Sequence, residues 1–183
     1  MIAASFGVLA AAPFVASAAN SKGVPETSSV SFQPGGQQGV QPTFEQKFWD
    51  YLLAEKYTNW SPAPGQGDGF QKSKMPHGAF VKMYLNRTAA GNPKKPPFGS
   101  IIVKENYGPM KKKLMAITVM YRFKDYNPKA GDWYWIKYMP NGTVASMKTP
   151  KGQMRLGGKV KGCIACHSGA GGDDFVYMND ELK

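Results

Sequence analysis

The sequence is poor in cysteine, histidine and acidic residues, and these shortages exclude several classes of protein. Two cysteines and two histidines among 183 residues leave no second cysteine pair for a four-thiolate zinc site. After residue 18, no apolar run is long enough to cross a bilayer. The chain also contains no recognition-motif signature for nucleic acid, so we expect no nucleic-acid partner.

Acidic residues are outnumbered by basic ones, 12 against 23, which gives a formal net charge of +11. The longest acid-free stretch lies between Asp132 and Asp173. A cationic surface favours association with acidic partners, an anionic membrane face among them. Ordinary solubilising lysines explain single clusters such as Lys111–Lys113 equally well.

The first 42 residues have a composition unlike that of the rest. Residues 1–18 are uncharged, contain an apolar stretch from Phe6 to Val15 and end in a small-x-small cleavage pattern. They predict a secretory signal peptide, although the usual basic start is missing. Residues 19–42 are rich in Ser, Gly, Gln and Pro and predict a flexible linker. We therefore expect one folded domain over residues 43–183.

The clearest motif is Cys163-Ile164-Ala165-Cys166-His167, two thiols followed at once by an imidazole. This spacing is typical of a c-type haem attachment site. Each thiol adds to one haem vinyl group, and a short helical turn brings His167 under the iron as proximal ligand. A thioredoxin-like redox pair is the alternative, but it requires a strand before the motif and a helix after it. We predict one covalent haem c held by Cys163, Cys166 and His167.

Attachment of a c-type haem in bacteria takes place outside the cytoplasmic membrane. Export through the predicted signal peptide therefore agrees with the haem motif. We expect the mature protein in the periplasm, where its cationic surface favours a redox partner cytochrome with an acidic surface.

Helical periodicity is found at the start of the domain, where Thr43 and Gln46 form a capping-box signature. Beyond residue 76 apolar residues alternate, which predicts strands. The predicted strands are Ala79–Leu85, Ser100–Tyr107, Leu114–Phe123, Asp132–Met139 and, after a hairpin turn, Thr143–Lys148. Their connections are too short for crossover helices. We predict an α+β, mainly β fold, namely an antiparallel meander of about five strands with an N-terminal helix and a short C-terminal haem-binding helix.

The predicted sheet has apolar residues on both faces. In the fourth strand Trp133 and Trp135 point one way, and Tyr134 and Tyr138 point the other. Each face therefore needs a cover, for which the N-terminal helix is one candidate and the haem or a second subunit the other. The methionines inside strands, such as Met83 and Met115, are expected to fill gaps in the core.

Five segments, taken in order, resemble the cytochrome P-460 family and its sister group, the β-type cytochromes c′. They are Met75–Gly78, Gly99–Tyr107, Ala116–Met120, Ala130–Trp135 and Gly162–His167. The resemblance implies a haem packed on an antiparallel sheet, usually in a homodimer, with an open or weakly occupied sixth position on the iron. It leads us to expect a small-molecule ligand or substrate at the haem.

In the P-460 oxidases a strand lysine is joined to the porphyrin rim, and the iron oxidises hydroxylamine and passes electrons to another cytochrome. Lys104 stands at the matching position, although a solvated lysine or a partner for a haem propionate is the alternative. The oxidases also use a distal carboxylate as a base. None occurs just ahead of the haem motif, so Glu105, Asp125 or Asp132 would have to replace it. Strand alternation allows only one of Lys104 and Glu105 to face the haem.

Three functions remain open at this point. The first is an enzyme that oxidises hydroxylamine or a related nitrogen compound. The second is a cytochrome that binds nitric oxide or another small gas without catalysis. The third is a simple electron-transfer cytochrome, which needs a strong sixth ligand such as a methionine or His77. In its loop, His77 is more typical of a turn or surface histidine.

Overall fold

The structure is a computed structural model that describes residues 41–67, 69–172 and 174–182, without the side chain of Glu181. The predicted signal peptide and most of the predicted linker lie outside the described residues. Among the residues described, no helix is both long and apolar enough to cross a membrane.

The N-terminal helix, α1, spans Phe44–Ala54 and begins at the predicted cap. The Thr43 hydroxyl accepts a hydrogen bond from the Gln46 backbone N–H at 3.3 Å. The Gln46 side chain does not complete the capping box but donates to Asp50 one turn further on. The buried side chains of this helix are Phe48, Trp49 and Leu52. Each such burial contributes roughly 1.5–3 kcal/mol to folding.

Antiparallel strands form the body of the domain, as the alternation predicts. The strands are β1 (Ser61–Pro62), β2 (Gln71–Lys72), β3 (Phe80–Leu85), β4 (Ile101–Tyr107), β5 (Leu114–Arg122), β6 (Trp133–Tyr138), β7 (Ser146–Thr149), β8 (Gly152–Arg155) and β9 (Gly157–Gly158). The main sheet has the order β1-β3-β4-β5-β6-β9, and β2 also pairs with β3. Two further helices are α2 (Arg87–Gly91) and α3 (Lys161–His167). The predicted mainly β fold with an N-terminal helix and a short C-terminal helix is confirmed.

The predicted fifth strand is wrong in its pairing. Thr143–Lys148 should return along β6, but only one bridge forms, between Tyr138 and Val144. The chain then leaves the sheet, and β7 pairs with β8 in a separate two-stranded sheet. The reason lies at Lys137, whose backbone C=O accepts from Ala145 while its N–H donates to Leu156. Two segments therefore share the edge of β6, and β9 occupies the remainder.

The two faces of the main sheet support separate clusters of buried side chains. On one face α1 packs against Val103, Ile117, Val119, Ile136 and Tyr138. The other face contains Met83, Leu85, Ile102, Met120, Trp133 and Trp135, which pack against Val160 and Val176 from the C-terminal region. The predicted division of the fourth strand, with both tryptophans on one face, is therefore confirmed.

Met115 does not fill the core as predicted, because 49% of its surface is exposed. The register between β4 and β5 shifts at this point, since Asn106 pairs with Ala116 while Tyr107 pairs with Leu114. Met115 is thus the extra residue of a β-bulge, which has no partner across the ladder. Met83 is buried as expected, with 7% of its surface exposed.

Candidate haem site

A cavity of about 520 Å³ lies between the sheet and α3. The sheet contributes Ile102, Lys104, Met120 and Trp135, and the C-terminal region contributes the motif residues. This volume falls within the range of about 300–1,000 Å³ that is usual for small-molecule and cofactor sites. The face of the sheet that α1 does not cover is therefore the face with a binding site.

The motif forms the predicted helical turn. The α3 helix begins after Val160, whose backbone is extended, and the Ile164 N–H donates to the Val160 C=O at 3.0 Å. Cys163 and Cys166 are three residues apart on this helix, so they share one side of it. Both line the cavity, and both are free thiols.

His167 is buried, and its ring is held by one hydrogen bond. Nδ1 lies 2.8 Å from the Phe175 carbonyl oxygen, so Nδ1 carries the hydrogen and donates. The lone pair is then on Nε2, as is usual for a metal-ligating histidine with such a partner. Burial lowers the pKa of His167, and the Lys104 charge lowers it further. The neutral imidazole that ligates a metal is thereby favoured.

Lys104 faces this cavity, as the strand alternation allows. Burial lowers the pKa of its amine to about 8, against the opposing effect of Cys166. Among the described residues one ion pair is present, between Arg155 and Glu45 on the other face of the sheet. No described carboxylate therefore forms an ion pair with Lys104. A substantial fraction of this amine is therefore neutral at mildly alkaline pH.

Glu105 lies on the opposite face of the sheet. Its carboxylate accepts hydrogen bonds from Tyr57 at 3.0 Å, Tyr84 at 3.1 Å and Tyr107 at 2.7 Å. It does not line the cavity. The prediction that Glu105 serves as the distal carboxylate is therefore contradicted by its position, because three phenols already occupy its oxygens on the far side of the strand.

The other two acidic candidates also lie elsewhere. Asp132 accepts from the Asn127 backbone N–H at 2.8 Å, and Asp125 is exposed. No described residue that lines the cavity is an aspartate or a glutamate. A haem here would therefore have no carboxylate from the described part of the chain beside it.

His77 lines the cavity and is not the surface histidine that its loop suggests. Its ring centroid is 6.2 Å from that of His167. Its buried Nδ1 makes no hydrogen bond of normal geometry to a described residue, although the Asn106 side chain is close enough to raise the pKa of His77. Burial lowers the pKa of His77 to about 3, helped by the charges of Lys104, His167 and Lys137.

The backbone just after His77, which leads into β3, explains the position of this histidine. Gly78 has φ +86°, and a Cβ there would lie 2.6 Å from the Tyr107 carbonyl oxygen. The next residue, Ala79, donates its backbone N–H to the same oxygen at 3.1 Å. Glycine therefore lets the loop press against the end of β4 and turn His77 inward. The His-Gly pair just before a strand was the available signal for this arrangement.

Lys137 also lines the cavity, and the sequence pattern did not single it out. It lies on the same face of β6 as Trp135, two residues before it. Alternation along β6 predicts this shared face. The sequence alone does not give the strand register that brings Lys137 into the same cavity as the haem motif.

The residues present fit a haem. Two thiols on one helical side can form thioethers, His167 offers a free Nε2, and the remaining walls are mostly apolar. The imidazole of His77 adds a second ring nitrogen pair to the lining of the cavity. Within the described ranges, no group of three or more His, Cys, Asp or Glu residues could hold a bare metal ion. The fold and site together define a haem cytochrome built on an antiparallel sheet.

Comparison with known families specifies this class further. The model of the family described as Cytochrome P460 matches residues 54–178, which is more than half of the 183 residues. The chain belongs to the Cytochrome P460 family. Among curated proteins, none matches the chain. Membership implies a haem cofactor, and the matched range includes His77, Lys104 and the whole haem motif.

Proposed function

We propose that the protein is a periplasmic mono-haem c-type cytochrome that oxidises hydroxylamine or a related small nitrogen compound and passes the electrons to another cytochrome. The observation behind this proposal is the position of Lys104, whose amine lies in the same cavity as both motif thiols and His167. Family membership supports the haem. The covalent attachment, the reaction and the compartment are the proposed parts.

Each motif residue has one role in this proposal. Cys163 and Cys166 would form thioethers with the haem, and Nε2 of His167 would bind the iron. The Phe175 carbonyl fixes the ring orientation of His167 by accepting from Nδ1. The haem, once bound, supplies one-electron redox chemistry and an open position for a small ligand.

Lys104 would be joined to the porphyrin rim. A new bond between Nζ and a rim carbon replaces one N–H and one C–H bond, so two electrons and two protons must leave. An oxidant of the peroxide class would accept them. The attacking amine must be neutral, and burial of Lys104 favours that form by lowering its pKa to about 8.

The optical spectrum of the reduced, haem-loaded protein tests this proposal. We expect a strongly red-shifted reduced Soret band in the wild type and an ordinary c-haem band in Lys104→Met. Lys82→Met is the matched control, because Lys82 is the register partner of Glu105 and lies outside the cavity. An ordinary c-haem spectrum in fully matured wild type would refute the cross-link.

A second function is nitric-oxide or small-gas binding without catalysis. It is favoured by the lack of any carboxylate among the described cavity residues, since oxidation of hydroxylamine needs a proton acceptor. It predicts a five-coordinate ferrous haem that binds nitric oxide equally well in wild type and Lys104→Met. Hydroxylamine turnover that depends on Lys104 would exclude it.

The third function, simple electron transfer, is favoured by one observation, the inward position of His77. If His77 is a strong sixth ligand, the ferrous haem is six-coordinate and low-spin. His77→Ala should then convert it to a high-spin form that binds added ligands. A wild-type ferrous haem that is already five-coordinate contradicts this function.

We also propose how the protein associates with others. The net charge of +11 supports an acidic partner cytochrome as the electron acceptor. The homodimer is proposed from the resemblance alone, and light scattering of the haem-loaded protein tests it. A monomer at working concentration would refute the homodimer.

A further inference from the structure

Three cavity residues form a straight row across three neighbouring strands. Lys104 on β4 is the register partner of Thr118 on β5, and Thr118 is the partner of Lys137 on β6. All three line the cavity. Since adjacent strands lie about 4.8 Å apart, the two lysine backbones are about 10 Å apart on one face of the sheet.

The Lys137 charge acts on groups inside the cavity. Burial lowers the pKa of His77, and the Lys137 charge adds to that effect. Burial raises the pKa of the Cys163 thiol, and the Lys137 charge opposes that rise. Lys137, His77 and Cys163 all line this one cavity.

No described carboxylate forms an ion pair with this ammonium. No described residue of the cavity wall is acidic either. Because Lys137 is half-buried, its ammonium is solvated by water or paired with a bound anion. A negatively charged ligand in the cavity can therefore take the place of water beside it.

The two lysines are not equivalent in the proposed function. Lys104 reacts as a neutral amine and loses its separate charge in the cross-link. Lys137 has no such role, so its ammonium is left for binding. An ammonium is a compact point charge with three donors, which suits a small inorganic anion.

We propose that Lys137 forms an anion subsite in the cavity that would hold the haem, which binds small monovalent oxyanions of nitrogen such as nitrite. This inference rests on the proposed function, because it needs the haem in the cavity. It extends that function to ligands of negative charge, including the oxidised products of a neutral nitrogen substrate.

A haem propionate is the competing partner for Lys137. If the ammonium pairs with a propionate, replacing it changes the properties of the haem for every added ligand alike. If it forms a ligand subsite, the replacement weakens anionic ligands and leaves neutral ligands unchanged. Comparing the two kinds of ligand therefore separates these roles.

The test is a spectroscopic titration of the ferric haem-loaded protein with nitrite and, separately, with imidazole. We expect Lys137→Met to raise the nitrite Kd about tenfold or more, because one nearby charge is lost. The imidazole Kd should change less than about twofold, and Lys137→Arg should retain most of the nitrite affinity because it keeps the charge. Equal changes for both ligands in Lys137→Met would overturn the inference in favour of the propionate.

A measurement on the wild type covers the case in which the Lys137 variants do not fold. Added chloride should weaken nitrite binding by competing for the ammonium, and it should leave imidazole binding unchanged. Nitrite binding that is insensitive to chloride would overturn the subsite. A wild type that loads no haem at Cys163 and Cys166 would instead refute the proposed function itself.

Discussion

Lys104 and Glu105 are neighbours on one strand, but their side chains lie on opposite faces of the sheet and have different surroundings. Glu105 is buried, with 6% of its surface exposed, and three tyrosine hydroxyls donate to its carboxylate. Lys104 lies in the cavity without a carboxylate partner among the described residues. The Glu105 carboxylate therefore has three hydrogen-bond donors, whereas the Lys104 amine has no described counter-ion.

Under the proposed function, the contrast separates a structural charge, Glu105, from a functional one, Lys104. A buried charge with several hydrogen bonds holds its surroundings in one arrangement. A buried charge without partners lowers stability, and it is retained where the group has chemistry to perform. The face beneath α1 is therefore expected to determine stability, and the face toward α3 to determine the haem spectrum and its ligands.

The largest expected effect on stability comes from Glu105→Leu. The three phenols lose their acceptor, and each buried unmade hydrogen bond costs about 1–3 kcal/mol. Because Tyr84 and Tyr107 are only half-buried and can bond to water, we expect a total loss of about 3 kcal/mol in the free energy of unfolding. Denaturant unfolding of the haem-loaded protein measures it.

Glu105→Gln is the matched control for that change, since it keeps an acceptor oxygen and should cost less than Glu105→Leu. Both variants should keep the wild-type haem spectrum. A Glu105→Leu protein of normal stability with an altered Soret band would reverse the roles of the two faces.

The next effect concerns the pH dependence of cross-link formation at Lys104. The protonated amine has no lone pair, so the rate follows the neutral fraction and rises with pH up to the pKa of about 8. Between pH 6 and pH 8 that fraction rises roughly 50-fold, and it levels off above the pKa. The appearance of the red-shifted band after peroxide is added measures this rate. A rate that is the same at both pH values would show that Lys104 does not attack as described.

The smallest expected effect is a difference in the free energy of unfolding between variants of two tryptophans on the cavity face. Trp133 Nε1 donates to the Asp174 carbonyl at 2.8 Å, whereas the buried Trp135 Nε1 has no partner among the residues that the structure describes. We expect Trp133→Phe to cost about 1 kcal/mol more in the free energy of unfolding than Trp135→Phe. Thermal unfolding of the two variants checks this. A larger loss for Trp135→Phe would mean that its N–H has a partner on the bound haem.

Much of the fold could be predicted because alternation is a local property. The four long strands and their two faces follow from side-chain parity, and so does the separation of Lys104 from Glu105. Pairing between strands is not local. The predicted fifth strand failed because Leu156, distant in sequence, bonds to the edge at Lys137.

Prediction of the candidate site is limited in the same way, because only its local features can be derived from the sequence. Cys163, Cys166 and His167 could be named from spacing alone, because one helical turn brings them together. His77 could be named as a possible ligand, but its inward position could not be predicted, because it depends on the Gly78 turn. Lys137 could not be named, because its place in the cavity depends on strand register. Met115 was misplaced for a related reason, because a bulge changes parity without a clear signal in the sequence.

The central claim is that the face toward α3 holds a haem bonded to the motif. Mass analysis of the peptide containing Cys163 and Cys166, from protein made with the c-type maturation machinery, tests it most directly. The account predicts one haem mass on this peptide, lost when both cysteines are changed to serine. Two free thiols on the matured wild-type peptide would contradict it.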